Sequence, residues 1–386
     1  MPELPEVEAA RSRLEAVAKG RRVKSVQTSE DAIVFSGTTH ANFATAIEGK
    51  TVKEVKRKGK NFYMILSSSP HPVFHFGMSG MAHVRGQASP VYRVPRSASP
   101  AEEWPPRYMK ACITFEDVET GETGEWAFCD ARRLGRIKLV EADEGEVENV
   151  PPLSELGADP LLAMPTKDDL RSAFARRNAP IKAVLLDQNG PLCGIGNYMA
   201  DEILYQSAIH PSVPAAHLSN HEQSALLDTL HAQIRSVTET AVAVDADAAR
   251  FPPDWLFQHR WSKGKKKKSG EKGFVLPDGR TATISFITVG GRTSAVVADV
   301  QVLPPEFAAM AAAKKRGGGK VTGGRKKKGK VVEGEDWDGV DEGKVNAAMG
   351  GKEVTSPHFK RALRQEESPS PPKRLRRGKA KEEDYE

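Results

Sequence analysis

Met1-Pro2-Glu3-Leu4-Pro5-Glu6-Val7-Glu8 opens the chain, and two physical readings of it compete. Removal of Met1 before a small residue such as Pro2 leaves a secondary amine at the chain start. An α-amino group has a pKa near about 8, so part of it is neutral and nucleophilic at physiological pH without deep burial. Attack of such an amine on a sugar C1′ gives an iminium ion, which acidifies the C2′ proton and permits β-elimination of the 3′ phosphate. Glu3 beside it is placed to act as the acid that opens the deoxyribose ring. In the second reading, prolines and acids introduce a helix and complement its positive end. On the opening tripeptide alone the second reading is the stronger.

Outward from this run, Val7, Ala10, Leu14 and Val17 recur at helical spacing and predict a helix over Glu6–Ala18. Short β-rich runs follow at Val23–Thr28, Thr51–Lys56, Asn61–Leu66, Val73–Phe76, Lys110–Phe115, Glu125–Cys129 and Arg136–Val140. Many short strands with Gly, Pro and Ser between them indicate a sandwich or barrel. Arg85–Pro106, rich in Ser, Pro and Arg, reads as a long mobile loop between two strands. Near residue 150 the pattern turns helical. Thr166 and Asp169 have capping-box spacing and open a helix over Lys167–Arg177, with further helices at Ile181–Asp187, Asn197–Ser207 and Asn220–Ala243. After Phe251–Arg260 and the run Lys265–Lys268, two strands, Ala282–Thr288 and Thr293–Val300, flank Gly290-Gly291-Arg292, a hairpin signal.

The formal charge of +6 invites a nucleic-acid reading, but its distribution does not support one for the folded part. Residues 311–386 hold 20 Lys and Arg against 13 Asp and Glu, which leaves 37 against 38 for the rest. Any DNA-binding surface in the first 310 residues must therefore come from local placement of basic groups. The tail is rich in Gly, Lys, Glu, Ser and Pro and is expected to be disordered. Its clusters Lys326–Lys328 and Lys373–Arg377 resemble nuclear-localisation patches, with a solvated polyelectrolyte as the alternative. Cys112, Cys129 and Cys193 form no closely spaced pair, which argues against a disulfide framework and a cysteine-rich zinc site and for a reduced compartment. No apolar run is long enough to span a membrane.

The whole octapeptide resembles the start of the formamidopyrimidine-DNA glycosylase/endonuclease VIII (Fpg/Nei) family, and the resemblance extends over residues 2–305. It implies Pro2 as nucleophile, Glu3 as catalytic acid, Lys60 on a β-turn as an assisting cation, and Glu6 as a hydrogen-bonding support. Lys58 is the neighbouring candidate in Lys56-Arg57-Lys58-Gly59-Lys60. His75-Phe76-Gly77-Met78-Ser79-Gly80 is similar to the loop whose methionine fills the gap left by an extruded base. Asp130-Ala131-Arg132-Arg133-Leu134-Gly135 resembles the second such loop, with Arg132 facing the orphaned base, Arg133 a phosphate, and Leu134 as a wedge. Relatives commonly have phenylalanine at that last position. Gly194-Ile195-Gly196-Asn197 matches the helix–two-turn–helix, where Gly196 lets a phosphate approach and Asn197 caps the helix and holds that phosphate.

The chain departs from the family pattern in two places. No cysteine follows Cys193, so the four-cysteine zinc finger of many relatives cannot form. Gly290-Gly291-Arg292-Thr293 instead resembles a metal-free "zincless finger", with Arg292 on the phosphates and Ile284, Phe286 and Val296 replacing the metal as support. No loop of the type that covers 8-oxoguanine is evident between Ala243 and Ala282, which favours formamidopyrimidines and hydantoins as substrates ahead of 8-oxoguanine, a lesser candidate.

The expected architecture is thus multidomain α+β. Residues 2–150 form a β-sandwich with an N-terminal helix, 151–250 a helix–two-turn–helix domain, 251–310 the zincless-finger hairpin, and 311–386 the tail. The expected activity is that of a bifunctional DNA glycosylase/AP lyase in the nucleus. It would act as a monomer on double-stranded DNA carrying oxidised bases or abasic sites, with no cofactor, metal or membrane. An endonuclease VIII-like preference for oxidised pyrimidines, a non-catalytic lesion-binding protein, and a scaffold acting through the tail are the alternatives.

Overall fold

A computed structural model describes residues 2–88, 103–260, 274–276 and 278–308. Most of the expected loop over Arg85–Pro106, the Lys265–Lys268 run and the tail with both basic clusters lie outside the described residues.

The opening prolines and acids do start a helix, α1 (Leu4–Ala18). Its apolar stripe, Val7, Ala10, Leu14 and Ala18, enters the first core, while Leu4 at its very start belongs to a second one. Eight strands follow: β1 (Arg22–Thr28), β2 (Val52–Lys58), β3 (Asn61–Leu66), β4 (His71–His75), β5 (Met81–Val84), β6 (Met109–Glu116), β7 (Thr123–Cys129) and β8 (Arg136–Val140). They pair antiparallel into two four-stranded sheets, ordered β1-β6-β7-β5 and β2-β3-β4-β8. The sheets face each other across a cluster of rings. Phe74 and Trp126 meet edge to face at 5.1 Å, and Phe76 and Phe128 stack at 5.5 Å. This is the expected sandwich.

β3 shows why its sequence is apolar throughout. Phe62, Met64 and Leu66 point into the sandwich, while Tyr63 and Ile65 on the opposite face pack with Val73, Val140, Val147 and Leu153. Two elements of this half carry no sequence expectation. The short strand β5 is one. The other is α2 (His40–Ile47), capped by the Thr39 hydroxyl, which accepts from the Asn42 N–H at 3.0 Å. The expectation of a single helix in this half is corrected accordingly.

The helical half contains α3 (Lys167–Ala175), α4 (Ile181–Leu186), α5 (Asn197–Gln206), α6 (Ala215–Leu218) and α7 (Ser224–Ala243). The Thr166–Asp169 capping box forms as its spacing predicts. α5 runs through the centre with Tyr198 to Tyr205 buried, and α7 covers it with Leu227, Leu230, Ile234, Val237 and Ala241 at helical spacing. Phe251, Trp255 and Phe257 close the same core, and Phe257 packs edge to face on Tyr198 at 5.0 Å.

The last strands are β9 (Phe274–Val275), β10 (Thr281–Ala282), β11 (Ile284–Val289) and β12 (Arg292–Val297). The run read as one strand, Ala282–Thr288, is broken at Thr283, and β12 ends at Val297, short of Val300. In the β11–β12 hairpin Val289 pairs with Arg292, so Gly290-Gly291 alone make the turn. Both have positive φ, +60° and +75°, the geometry of a tight hairpin turn that fits the strands' twist. Arg292 is therefore the first residue of β12, outside the turn itself.

Candidate active site and nucleic-acid interface

Glu3 sits at the start of α1, where its backbone N–H donates to the Glu6 carboxylate at 2.8 Å. Its own carboxylate crosses to another helix. Oε1 accepts from the Tyr198 N–H at 2.9 Å and Oε2 from the Met199 N–H at 3.1 Å. Glu3 thus occupies the positive N-terminus of α5, where a carboxylate is favoured. The expected cap, Asn197, does not perform that role. Gly196 is the N-cap residue and offers no side chain, Asn197 is the first helical residue, and its buried Oδ1 finds no hydrogen-bond partner among the described residues.

The glycines of this turn are explained by what presses against them. A Cβ on Gly196 would lie 2.2 Å from Glu3 Cδ, and one on Gly194, at φ +87°, 2.6 Å from Leu4 Cδ1. The Leu4 N–H also donates to the Gly194 carbonyl at 3.1 Å. Pro2 is buried immediately before this junction.

Lys60 reaches the same turn: its Nζ donates to the Ile195 carbonyl at 2.9 Å. Burial lowers its pKa, the Glu3 and Glu6 charges oppose that, and the Arg292 charge adds to it. Lys60 and not Lys58 is the lysine bonded to this turn. The lysine turn is held from below. The Arg57 guanidinium, fully buried, pairs with Asp159 and with Glu8, and Asp159 Oδ2 accepts from the Gly59 N–H at 2.7 Å. Burial and then the Glu3 charge push Glu6 up to about 7. His75 is pushed down to about 4, first by burial and then by Lys60 and Arg136.

Met78 and Leu134 stand at the tips of two adjoining turns and are 38% and 37% exposed. Arg132 and Arg292 are exposed as well. Arg133, expected on a phosphate, is instead bound by Asp31 through Nε at 2.9 Å and Nη2 at 3.1 Å. Burial works against the Asp31 charge, but hydrogen bonds from Arg133 and Lys110 outweigh it and hold its carboxyl well below the usual range.

Residues 1–137 match the formamidopyrimidine-DNA glycosylase N-terminal domain, and residues 156–252 match that family's H2TH domain. The chain is 42% identical over 313 residues to a formamidopyrimidine-DNA glycosylase of Arabidopsis thaliana, covering 81% of this chain and 74% of the relative. The chain belongs to the formamidopyrimidine-DNA glycosylase family. A Methylorubrum extorquens formamidopyrimidine-DNA glycosylase is 31% identical over 318 residues, 79% of this chain and 99% of the relative. Among solved structures, Lactococcus lactis Fpg in complex with DNA containing an abasic site shares the fold. It has a TM-score of 0.58 at 22% identity, covering 78% of this chain and all of that one.

In this family member, Glu3, Glu6, Lys60 and Gly196 converge on one junction, with Pro2 buried beside it. Met78, Arg132 and Leu134 occupy two neighbouring loops, and Arg292 is exposed at the start of β12. Sequence reasoning missed the roles of Asp159, Asp130, Asp201 and His75. His75 and Asp130 had a nearby signal, since they open the motifs that carry Met78 and Leu134. Among the described residues no group of three or more His, Cys, Asp or Glu is placed to hold a metal ion.

Proposed function

We propose that this formamidopyrimidine-DNA glycosylase family member is a bifunctional DNA glycosylase/AP lyase of base excision repair, acting through Pro2. The observation that carries the reading is the junction at which Glu3 and Lys60 meet the N-terminus of α5 beside Pro2.

Met1 is removed, and the freed Pro2 nitrogen attacks C1′ of the damaged nucleotide. The N-glycosidic bond breaks, and the base departs with its bonding pair and takes up a proton. Glu3 takes the proton lost from the Pro2 nitrogen and passes it to the ring oxygen as the deoxyribose opens, leaving an iminium between Pro2 and C1′. Loss of the C2′ proton expels the 3′ phosphate, a second elimination expels the 5′ phosphate, and hydrolysis frees Pro2. Lys60, with its pKa lowered by burial, is suited to carry a proton in these steps.

The substrate class is an oxidised base, formamidopyrimidine or hydantoin, in duplex DNA. Met78 and Leu134 fill the vacated stack, and Arg132, Asn197 and Arg292 hold the strands around it. The enzyme acts as a monomer, its metal-free hairpin standing in for a zinc finger. The basic clusters Lys326–Lys328 and Lys373–Arg377 support nuclear targeting.

Borohydride trapping on duplex DNA with an abasic site tests this. The processed wild type should form a covalent adduct that maps to the N-terminal peptide, and Pro2→Gly should form none. A wild type that binds such DNA without any adduct would overturn the lyase in favour of a lesion-binding protein.

A further inference from the structure

Two exposed apolar tips, Met78 and Leu134, come from loops far apart in sequence, yet they are built as one body. Asp130, 1% exposed, lies beneath both. Its Oδ1 accepts from the Ser79 hydroxyl at 2.7 Å, the residue after Met78, and from the Arg132 N–H at 3.0 Å. Its Oδ2 accepts from the Gly135 N–H at 2.6 Å, the residue after Leu134. The Asp130 N–H in turn donates to the Tyr108 carbonyl at 3.1 Å, which fixes the carboxylate's own backbone.

Three donors converge on one side chain, and an ionised carboxylate can accept all of them because it carries no donor of its own. An amide would turn an N–H toward a donor. The loops also interlock without hydrogen bonds. A Cβ on Gly77 would lie 2.2 Å from the Leu134 carbonyl oxygen, and one on Gly135 3.1 Å from the His75 carbonyl oxygen. No side chain fits between the turns, so a shift in one must move the other.

We infer that Asp130 is a positioning residue that clasps the two loops, so that Met78 and Leu134 enter the DNA stack together. The inference rests on the proposed base-extruding function and deepens it. A wedge acting from two sides of one gap works only if both tips keep their spacing while the DNA resists. Removing the clasp loosens that spacing without touching Pro2, Glu3 or Lys60. Extrusion of a paired base then suffers far more than processing of a site whose base is already gone.

The test compares Ser79→Ala, Asp130→Asn and the double variant with the wild type. Ser79→Ala cuts only the strut between the loops and leaves Asp130 bonded within its own loop, so it remains informative even if Asp130→Asn folds poorly. Three readouts are taken in full-length protein: fluorescence of 2-aminopurine placed beside a formamidopyrimidine, single-turnover excision of that base, and strand nicking at a preformed abasic site. Ser79→Ala should slow the fluorescence rise and the excision about tenfold and nicking less than twofold, and the double variant should be no worse than Asp130→Asn alone. Equal slowing of excision and nicking, or unchanged fluorescence in Ser79→Ala, would overturn the clasp. A wild type that shows the fluorescence rise but no trapped adduct would sink the enzyme reading and leave the clasp standing.

Discussion

Between the sheets of the N-terminal sandwich lie Phe62, Phe74, Phe76, Trp126 and Phe128, all essentially unexposed, whereas the β11–β12 hairpin rests on a smaller set. Tyr205, Leu256, Phe274, Leu276, Ala282, Ala295 and Val297 form its apolar cluster, with Ile284 and Phe286 only partly buried against it. A two-stranded hairpin with so little apolar cover is marginal in water. What it has in addition is a buried ionic knot. Asp201 on α5 accepts from Lys182 Nζ at 2.6 Å, from Arg260 Nη2 at 3.0 Å and from the Ala295 N–H at 3.2 Å. Lys182 also donates to the Thr293 carbonyl at 3.0 Å. Two backbone groups of β12 are thus tied to the helical domain by charge. The expectation that apolar side chains such as Ile284, Phe286 and Val296 replace a metal as the hairpin's support leaves out this ionic part. The sandwich is held by area, the hairpin by a few directed bonds, and the two should fail in different ways.

The widest expected effect falls on the sandwich. Phe74→Ala removes a ring packed on Phe62 at 5.2 Å and Trp126 at 5.1 Å and should cost about 3–5 kcal/mol. Denaturant unfolding should show the loss as one cooperative transition. Asp201→Asn comes next. It leaves Lys182 and Arg260 without a full counter-charge in a buried site and should cost about 3 kcal/mol. Hydrogen exchange should show it locally, with amides of residues 284–297 losing protection and those of β3 keeping theirs. Equal loss in both regions would erase the distinction drawn above.

Acidity probes the same contrast. Burial raises Glu202, next to Asp201, from an ordinary 4.5 to about 7, although Gln206 and the backbone at residues 256 and 257 bond it. The folded protein therefore holds this proton more tightly than the unfolded chain does. The associated stability is complete below about pH 4.5 and is lost as pH rises through 7. Its size is on the order of 3 kcal/mol. Glu202→Gln should flatten that part of a melting-temperature profile against pH, and an unchanged slope would show that another group carries it. The smallest effect is expected at the hairpin tip. Arg292→Ala should weaken DNA binding by about 1 kcal/mol and reduce the salt slope by about one charge, with the fold intact. Titrations at several salt concentrations would measure both.

The elements legible in the sequence were those whose periodicity is local. β3 and β8 have the bounds expected of them, and the stripe of α1 was readable. α2 was not, because Phe43 and Ile47 are its only large apolar residues. At the site, Glu3 and Lys60 were legible through their motifs, and the structure brings both to one turn. The acids that hold the site in place were silent for a physical reason. Asp130 meets Ser79 51 residues away, Asp159 meets Arg57 102 away, and Asp201 meets Ala295 94 away. A single carboxylate leaves no periodic trace of so distant a partner. Asn197 misled for the opposite reason: its type and place suit a cap, but a residue from the chain's other end had taken the position.

That arrangement has a consequence for biosynthesis. Glu3 finds its hydrogen-bond donors at Tyr198 and Met199, and Leu4 finds its core among residues of the helical half. A ribosome must therefore release nearly two hundred residues before the start of the first helix has its partners, although the stripe of α1 packs in the earlier core. Until then the Glu3 carboxylate lacks the backbone donors that hold it, and the junction with Lys60 is unassembled.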